Sequence, residues 1–314
     1  MSAPREVSMW MMKSKRERSV CMREETVQEI RGALNESNEG IFLGVALLRL
    51  RYDAFVTALH AFLLGLLQGF TELLPVSSSG HLALVEQYWQ VSIPRGLLGF
   101  DVLLHVGSLC ALLLCYPRLW ARILVSPFSR DRDDLRLLLF LIVATIPAGI
   151  AGIFFGDFFD AMRSRTALGV GFLLSGIILI IAERFPGQRA SSSLRLWEVI
   201  ALGVAQVFAL PPSVSRSGIT MAAGRVLRLS RPEAVDFSFL MAVPAIAGAS
   251  LFTAAEVWRG TMSLPAWPAS IAGLLASFGA SIMAIIFLRA LVQRFSMAWF
   301  ALYLFPLAVF LLAK

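Results

Sequence analysis

Long apolar runs separated by short polar segments fill the chain from about residue 100 to its end, at roughly 100–116, 137–155, 166–183, 236–255, 269–290 and 297–313. Each approaches the ~20 helical residues that cross a hydrocarbon core, and none has the even alternation of an outer-membrane strand. The pattern predicts six membrane-crossing helices. Pro147, Pro244 and Pro306 fall inside three of the runs, which membrane helices tolerate because neighbouring groups satisfy the freed carbonyls. Two further segments, 54–90 and 197–229, break the pattern. Each is apolar, then interrupted by a Pro/Ser/Gly stretch, then apolar again for too few residues to span the bilayer, so each reads as a broken helical hairpin.

Composition narrows the class without changing it. The chain is 57% hydrophobic, only 16% charged, and has a mean hydropathy of +0.73, which excludes an ordinary soluble domain. The net charge of +7 comes largely from arginines in short segments between apolar runs. Positive-inside topology explains them, so no nucleic-acid partner is expected. Cys21, Cys110 and Cys115 form no CxxC pair and read as packing residues, with neither a disulfide framework nor a metal cluster. Residues 1–52 differ from the rest, being rich in both basic and acidic residues. They form an extension of unknown role with no cleavable-signal pattern.

The two broken segments resemble each other. "QGFTELLPVSSSGH" from Gln68 and "QVFALPPSVSRSGIT" from Gln206 share a glutamine, an apolar stretch, a Leu-Pro and a hydroxyl-rich turn closed by Ser-Gly. A Phe/Asp pair follows each, Phe100-Asp101 and Asp236-Phe237. This predicts an internal duplication, with repeat one at about 53–183 and repeat two at about 197–314. Arginines in 117–136 and 184–196, with Arg225, Arg228, Arg231, Arg289 and Arg294, mark one side of the membrane as cytoplasmic. On that assignment the hairpins enter from opposite faces, so the halves are inverted and the turns meet near the midplane.

Irregular backbone at membrane depth survives only when buried in protein or lining a watery cavity. A charge near the bilayer centre costs about 2.5–3.5 kcal/mol, so Glu72 and Arg216 need partners, and opposite charges from the two repeats supply them. The first turn offers Glu72, Gln68 one helical turn before it, Ser77, Ser78, Ser79 and His81. The second offers Arg216 between Ser215 and Ser217, then Gly218 and Thr220 at the start of a short helix, a combination suited to a phosphate. A serine near a histidine adds a nucleophile and an acid/base. Phosphoryl chemistry inside the membrane is the expectation. His60 and His105, each alone in an apolar run, read as structural hydrogen-bonding residues.

These two motifs resemble the signature regions of the undecaprenyl-diphosphate phosphatase family, also called bacitracin-resistance proteins. The first matches a Glu-or-Gln, three residues, Glu, then PVSS-x-GH; the second matches PG-x-SRSG-x-T. The likeness covers residues from about 53 to 314. It implies an all-α integral membrane protein of the bacterial inner membrane, with six transmembrane helices plus two re-entrant hairpins in inverted-topology repeats. It also implies release of the terminal phosphate of undecaprenyl diphosphate, which recycles the lipid carrier for peptidoglycan and confers antibiotic resistance. By the same resemblance Gln68 and Glu72 would hold a divalent cation, Mg²⁺ or Ca²⁺, Ser78 would be the nucleophile, His81 the acid/base and Arg216 the phosphate ligand. Gln68 stands where many members have Glu, which weakens the metal expectation. Pro212 stands where Gly is usual, which fixes φ and removes an N–H from the second turn.

Attack by Ser78 and direct attack by water are both open. A transporter or flippase using the same residues to bind a polyprenyl phosphate is the alternative, because inverted repeats with broken helices are common among transporters. A lipid phosphatase of the acid-phosphatase type is excluded, since it needs a late histidine and none follows His105. Gly169, Gly171, Ser175 and Gly176 form a small-residue face suited to packing within one chain or, in a homodimer, between two.

Overall fold

The computed structural model describes residues 58–89, 97–129, 132–260, 264 and 266–313, and among them the regular elements are helices. The N-terminal extension and Cys21 lie outside the described residues. The first broken segment folds as α1 (Ala58–Leu73), a turn, and α2 (Ser78–Trp89). Then come α3 (Leu97–Cys115), α4 (Pro117–Val125), a 3-10 turn at Ser126–Phe128, α5 (Arg132–Asp160) and α6 (Arg165–Ala182). The second broken segment gives α7 (Leu196–Val207), a turn, and α8 (Arg216–Val226), followed by α9 (Arg231–Trp258), α10 (Trp267–Arg294) and α11 (Ala301–Leu312).

Four helices, α5, α6, α9 and α10, are long and apolar enough to cross a membrane, and α3 with α4 makes a fifth if that pair is one bent span. Two expected crossings therefore differ from a simple helix. The run at 100–116 ends in an 89° bend, where Pro117 opens α4; proline at the first helical position has no N–H to continue the preceding ladder. The run at 297–313 begins as a 3-10 turn, Met297–Phe300, capped by Ser296, before α11. That apolar helix, Met297–Leu312, falls short of the ~20 residues of a full crossing. Pro147, Pro244 and Pro306 sit inside continuous helices. The arms of both hairpins are short, as the pattern predicts.

Leu139, Ile142, Ile146, Ile150 and Ile153 recur every three or four residues on α5 and are all exposed. A stripe of that size would aggregate in water, and on a helix of this hydropathy it faces lipid. The opposite helix faces make a core around Phe172, Leu202, Phe239, Met241 and Leu304. The first arm of each hairpin packs on a long helix of the other half. Helix α1 lies against α10 so closely that a Cβ at Gly69 would sit 2.3 Å from the Ser277 carbonyl oxygen. Helix α7 lies against α5, where Gly203 touches Ala144 and Gln206 Nε2 donates to the Ala144 carbonyl at 3.1 Å. Gln206 is thus a packing residue.

The small residues of α6 are used inside the chain. Gly169 meets Leu311 and Leu312, Gly176 meets Phe305, and Gly171 and Ser175 meet the second turn. Beyond the helix ends, Arg231 pairs with both oxygens of Glu183 at 2.7–3.1 Å, and Arg189 pairs with both oxygens of Glu198. Burial pushes the Glu183 carboxyl up, but Arg231 and the Met297 N–H outweigh it and hold it below its ordinary value. Cys110 and Cys115 are free of a disulfide; Cys115 is half-buried, but Cys110 is exposed and does not pack as the sequence reading expects.

Candidate active site

The two turns meet, and a cavity of about 320 Å³ lies between them. Each turn contains one serine with left-handed backbone, Ser77 at φ 72° and Ser213 at φ 67°. A residue with a Cβ pays roughly 1–2 kcal/mol for that conformation, and here it turns the chain directly into a new helix start. Ser77 Oγ accepts from Gly80 N at 3.4 Å at the start of α2, and Ser215 Oγ accepts from Gly218 N at 3.0 Å at the start of α8. The second turn is pinned to α6: Ser175 Oγ donates to the Ser213 carbonyl and accepts from Ser215 N. Ser217 Oγ donates to the Leu74 carbonyl at 2.8 Å, which ties one turn to the other.

Glu72 is the hub. One carboxylate oxygen accepts from the Arg216 guanidinium, joining the two halves as the charge argument requires. The other accepts from Ser78 Oγ at 2.5 Å and from Gln68 Nε2 at 3.1 Å, and His105 Nε2 stands 3.3 Å from it. Glu72 is buried, as are Ser77 and Ser78. Glu72, Ser77, Ser78, Ser79, Ser215, Arg216 and Ser217 all line the cavity. The starts of α2 and α8 lie at the same place, and first-turn N–H groups with an arginine suit an anionic phosphoryl group.

Other candidates lie elsewhere. Gln68 is fully buried behind Glu72. Gly218 gives its N–H to the Ser215 cap, and Thr220 Oγ1 is engaged by the Arg216 and Ser217 carbonyls and by Ser238. Neither lines the cavity. His81 also faces away. Its Nδ1 is 2.6 Å from the Ser77 carbonyl, which can only accept, so Nδ1 carries the proton. Its Nε2 is 2.6 Å from Tyr303 Oη, which donates to it when the ring is neutral. The ring stacks on Tyr303 and meets the edge of Phe172. His81 thus neither bonds Ser78 nor lines the cavity, whereas His105, read from the sequence as a structural hydrogen-bonding residue, borders both the cavity and Glu72. His105 and Tyr303 are the residues that sequence reasoning missed. The cost of an ionisable group at bilayer depth, applied to Glu72, applies equally to His105 and would have found it.

As a resident metal centre the site does not fit. Among the described residues no group of three or more His, Cys, Asp or Glu side chains is placed to hold an ion. The one carboxylate at hand is engaged by a guanidinium, and Gln68 turns an N–H to it rather than a carbonyl oxygen. Mg²⁺ needs near-ideal octahedral oxygen ligands, which these side chains do not offer on their own.

Comparison with known proteins fits this geometry. A family model described as bacitracin resistance protein BacA matches residues 61–310. The undecaprenyl-diphosphatase of Thermodesulfovibrio yellowstonii is 38% identical over 79% of this chain and 94% of its own length. That of Rubrobacter xylanophilus is 38% identical over 81% of this chain and 97% of its own. That of Gemmatimonas aurantiaca is 39% identical over 79% and 94%.

Proposed function

Because this chain belongs to the bacitracin resistance protein BacA family, we propose that it hydrolyses undecaprenyl diphosphate to undecaprenyl phosphate and inorganic phosphate, with Ser78, Glu72 and Arg216 carrying the reaction. It is a multi-pass membrane phosphatase, and its setting is the bacterial inner membrane. The observation that carries the site assignment is one carboxylate joined on one oxygen to Arg216 and on the other to Ser78, inside a cavity at the junction of two broken helices.

The chemistry follows from the contacts. Ser78 Oγ forms a bond to the terminal phosphorus while the bond from that phosphorus to the polyprenyl phosphate oxygen breaks. The Ser78 proton passes to the Glu72 oxygen that already accepts it. Arg216 and the N–H groups at the two helix starts hold the phosphoryl oxygens, where transition-state charge gathers. Water then attacks phosphorus, Ser78 takes its proton back from Glu72, and the water proton leaves on inorganic phosphate. His81 supports this from behind: it fixes the Ser77 carbonyl and thus the start of α2.

The cavity holds about ten waters at roughly 30 Å³ each, which suits a diphosphate head and not a long prenyl tail. Its apolar wall is made by Val102 of α3 and Ala245, Ile246 and Ala249 of α9. Gly248 and Ala249 are exposed, and the tail leaves past them into lipid. The short hairpin arms support re-entrant loops, and the reciprocal packing of α1 on α10 and α7 on α5 supports inverted repeats. The test is phosphate release from undecaprenyl diphosphate by purified protein in detergent, comparing wild type with Ser78→Ala. Release that disappears in the variant is expected; a folded wild type that releases none would sink the proposal.

A further inference from the structure

We infer that α4 lies in the membrane–water interface and binds anionic phospholipid: Arg118 and Arg122 hold the headgroup phosphate, and the apolar side of the helix enters the acyl chains. The inference does not depend on the reaction assigned above. Helix α4 turns 89° from α3, so it leaves the direction in which α3 runs through the bundle, and its nine residues are too few to cross a membrane. The residue before it fixes its place. Tyr116 Oη donates to Asp236 at 2.8 Å, and Arg289 Nε donates to the same carboxylate oxygen at 3.1 Å. These contacts gather the end of α3, the start of α9 and the last part of α10 at the arginine-rich end of the bundle.

Three sides of α4 differ. Leu119, Trp120 and Ile123 pack into the core. Pro117, Ala121, Leu124 and Val125 share a second side at helical spacing, continued by Phe128 in the 3-10 turn, and all five are exposed. Phe128 is 92% exposed, and in a membrane protein so bare a ring beside other apolar residues is covered by acyl chains. Arg118 and Arg122, one turn apart, form the strip between these two sides and are exposed. Arg122 Nε lies 3.4 Å from Asp134, yet its side chain stays 64% exposed. An arginine costs about 2.5–3.5 kcal/mol at the centre of the hydrocarbon, so the strip holds the helix at phosphate depth. Arginine forks match phosphate oxygens. Residues 117–136 carry five arginines against three aspartates, a surplus that favours lipids of net negative charge over zwitterionic ones. Arg136 is taken up by the Leu194 carbonyl and the Phe140 ring, which leaves Arg118 and Arg122 as the pair that α4 itself presents.

Hydrogen exchange of the full chain in lipid nanodiscs tests this, read on the peptide 117–129. Adding phosphatidylglycerol to phosphatidylcholine discs is expected to slow exchange of α4 by about fivefold for each arginine engaged. Arg118→Gln, which leaves the Arg122–Asp134 pair in place, is expected to lose about one such factor, and Arg118→Gln/Arg122→Gln the whole effect of phosphatidylglycerol. Phe128→Ser is expected to speed exchange of the same peptide in both kinds of disc while keeping the effect of phosphatidylglycerol. A wild type indifferent to phosphatidylglycerol, or an undiminished effect in the double variant, overturns the inference. Equal slowing by inorganic phosphate in phosphatidylcholine discs overturns it too, since α4 would then be a site for the free anion. An unchanged rate in Phe128→Ser would refute the seating of the apolar side. None of these readings needs phosphate release, so they succeed or fail separately from the phosphatase reading.

Discussion

Replacing Glu72 with Gln separates the shape of the hub from its proton affinity. The amide keeps the length and one oxygen that can accept from Ser78, but it cannot take up the Ser78 proton. General-base catalysis contributes about 10²–10⁴ in rate, so kcat is expected to fall about 10³-fold, close to 4 kcal/mol of barrier. Arg216 also loses its counter-charge. Breaking a fully buried pair costs about 3–5 kcal/mol, but the Arg216 side chain is 22% exposed, so a stability loss nearer 2 kcal/mol is expected. The assay is phosphate release at saturating undecaprenyl diphosphate, on material that elutes as a single species. The decisive comparison is with Ser78→Ala. If Glu72 acts through Ser78, adding Glu72→Gln to Ser78→Ala costs less than about threefold, since the two groups work as one unit. Losses that multiply in the double variant, or a Glu72→Gln enzyme retaining more than about a third of wild-type turnover, would refute the reasoning.

Three other outcomes are expected. Tyr303→Phe removes the donor to His81 Nε2 and leaves a buried acceptor unpaired; it should cost about 1–3 kcal/mol of thermal stability and far less turnover than Glu72→Gln. Gly69→Ala places a Cβ against the Ser277 carbonyl oxygen, so α1 must back away from α10, at about 1–3 kcal/mol, with turnover falling because α1 carries Glu72; a melting curve and the phosphate assay check both. The Glu183 carboxyl is held below its ordinary value of 4.5. Its contribution to stability is therefore full above that value and lost as pH falls through the lower folded one, so Glu183→Gln should lower the melting temperature at pH 7 and progressively less in acid.

The sequence made the joining of the halves legible because burying a charge in lipid has few solutions. Glu72 and Arg216 lie 144 positions apart, yet each needs an opposite charge at bilayer depth, and the turn that holds each one is marked by Pro, Ser and Gly. The short hairpin arms were legible for a similar reason, since their length cannot span a membrane. What the sequence did not show is rotation about helices. His81 and Ser78 are three residues apart, close enough to suggest a pair, but α2 starts at Ser78 and its first turn sends the imidazole toward Phe172 and Tyr303. His105 is placed by a helix that adjoins the first turn only in the folded chain. The left-handed serines are likewise set by backbone geometry that composition does not encode.

The same geometry explains why the site needs both hairpins. Ser78, Glu72 and the start of α2 come from the first, and Arg216 and the start of α8 from the second. Taken alone, the first would bury an unpaired carboxylate and the second an unpaired guanidinium, each costly without water. Together they cancel, and the Ser217 hydroxyl on the Leu74 carbonyl fixes their distance. An arriving diphosphate adds negative charge at a place where Arg216 is already committed to Glu72. The guanidinium must then be shared between carboxylate and phosphate, which draws positive charge away from Glu72 just as Ser78 has a proton to give. Substrate binding thereby loosens the Arg216 hold on Glu72, which the empty site keeps closed. That coupling follows from placing one arginine between the base and the phosphate.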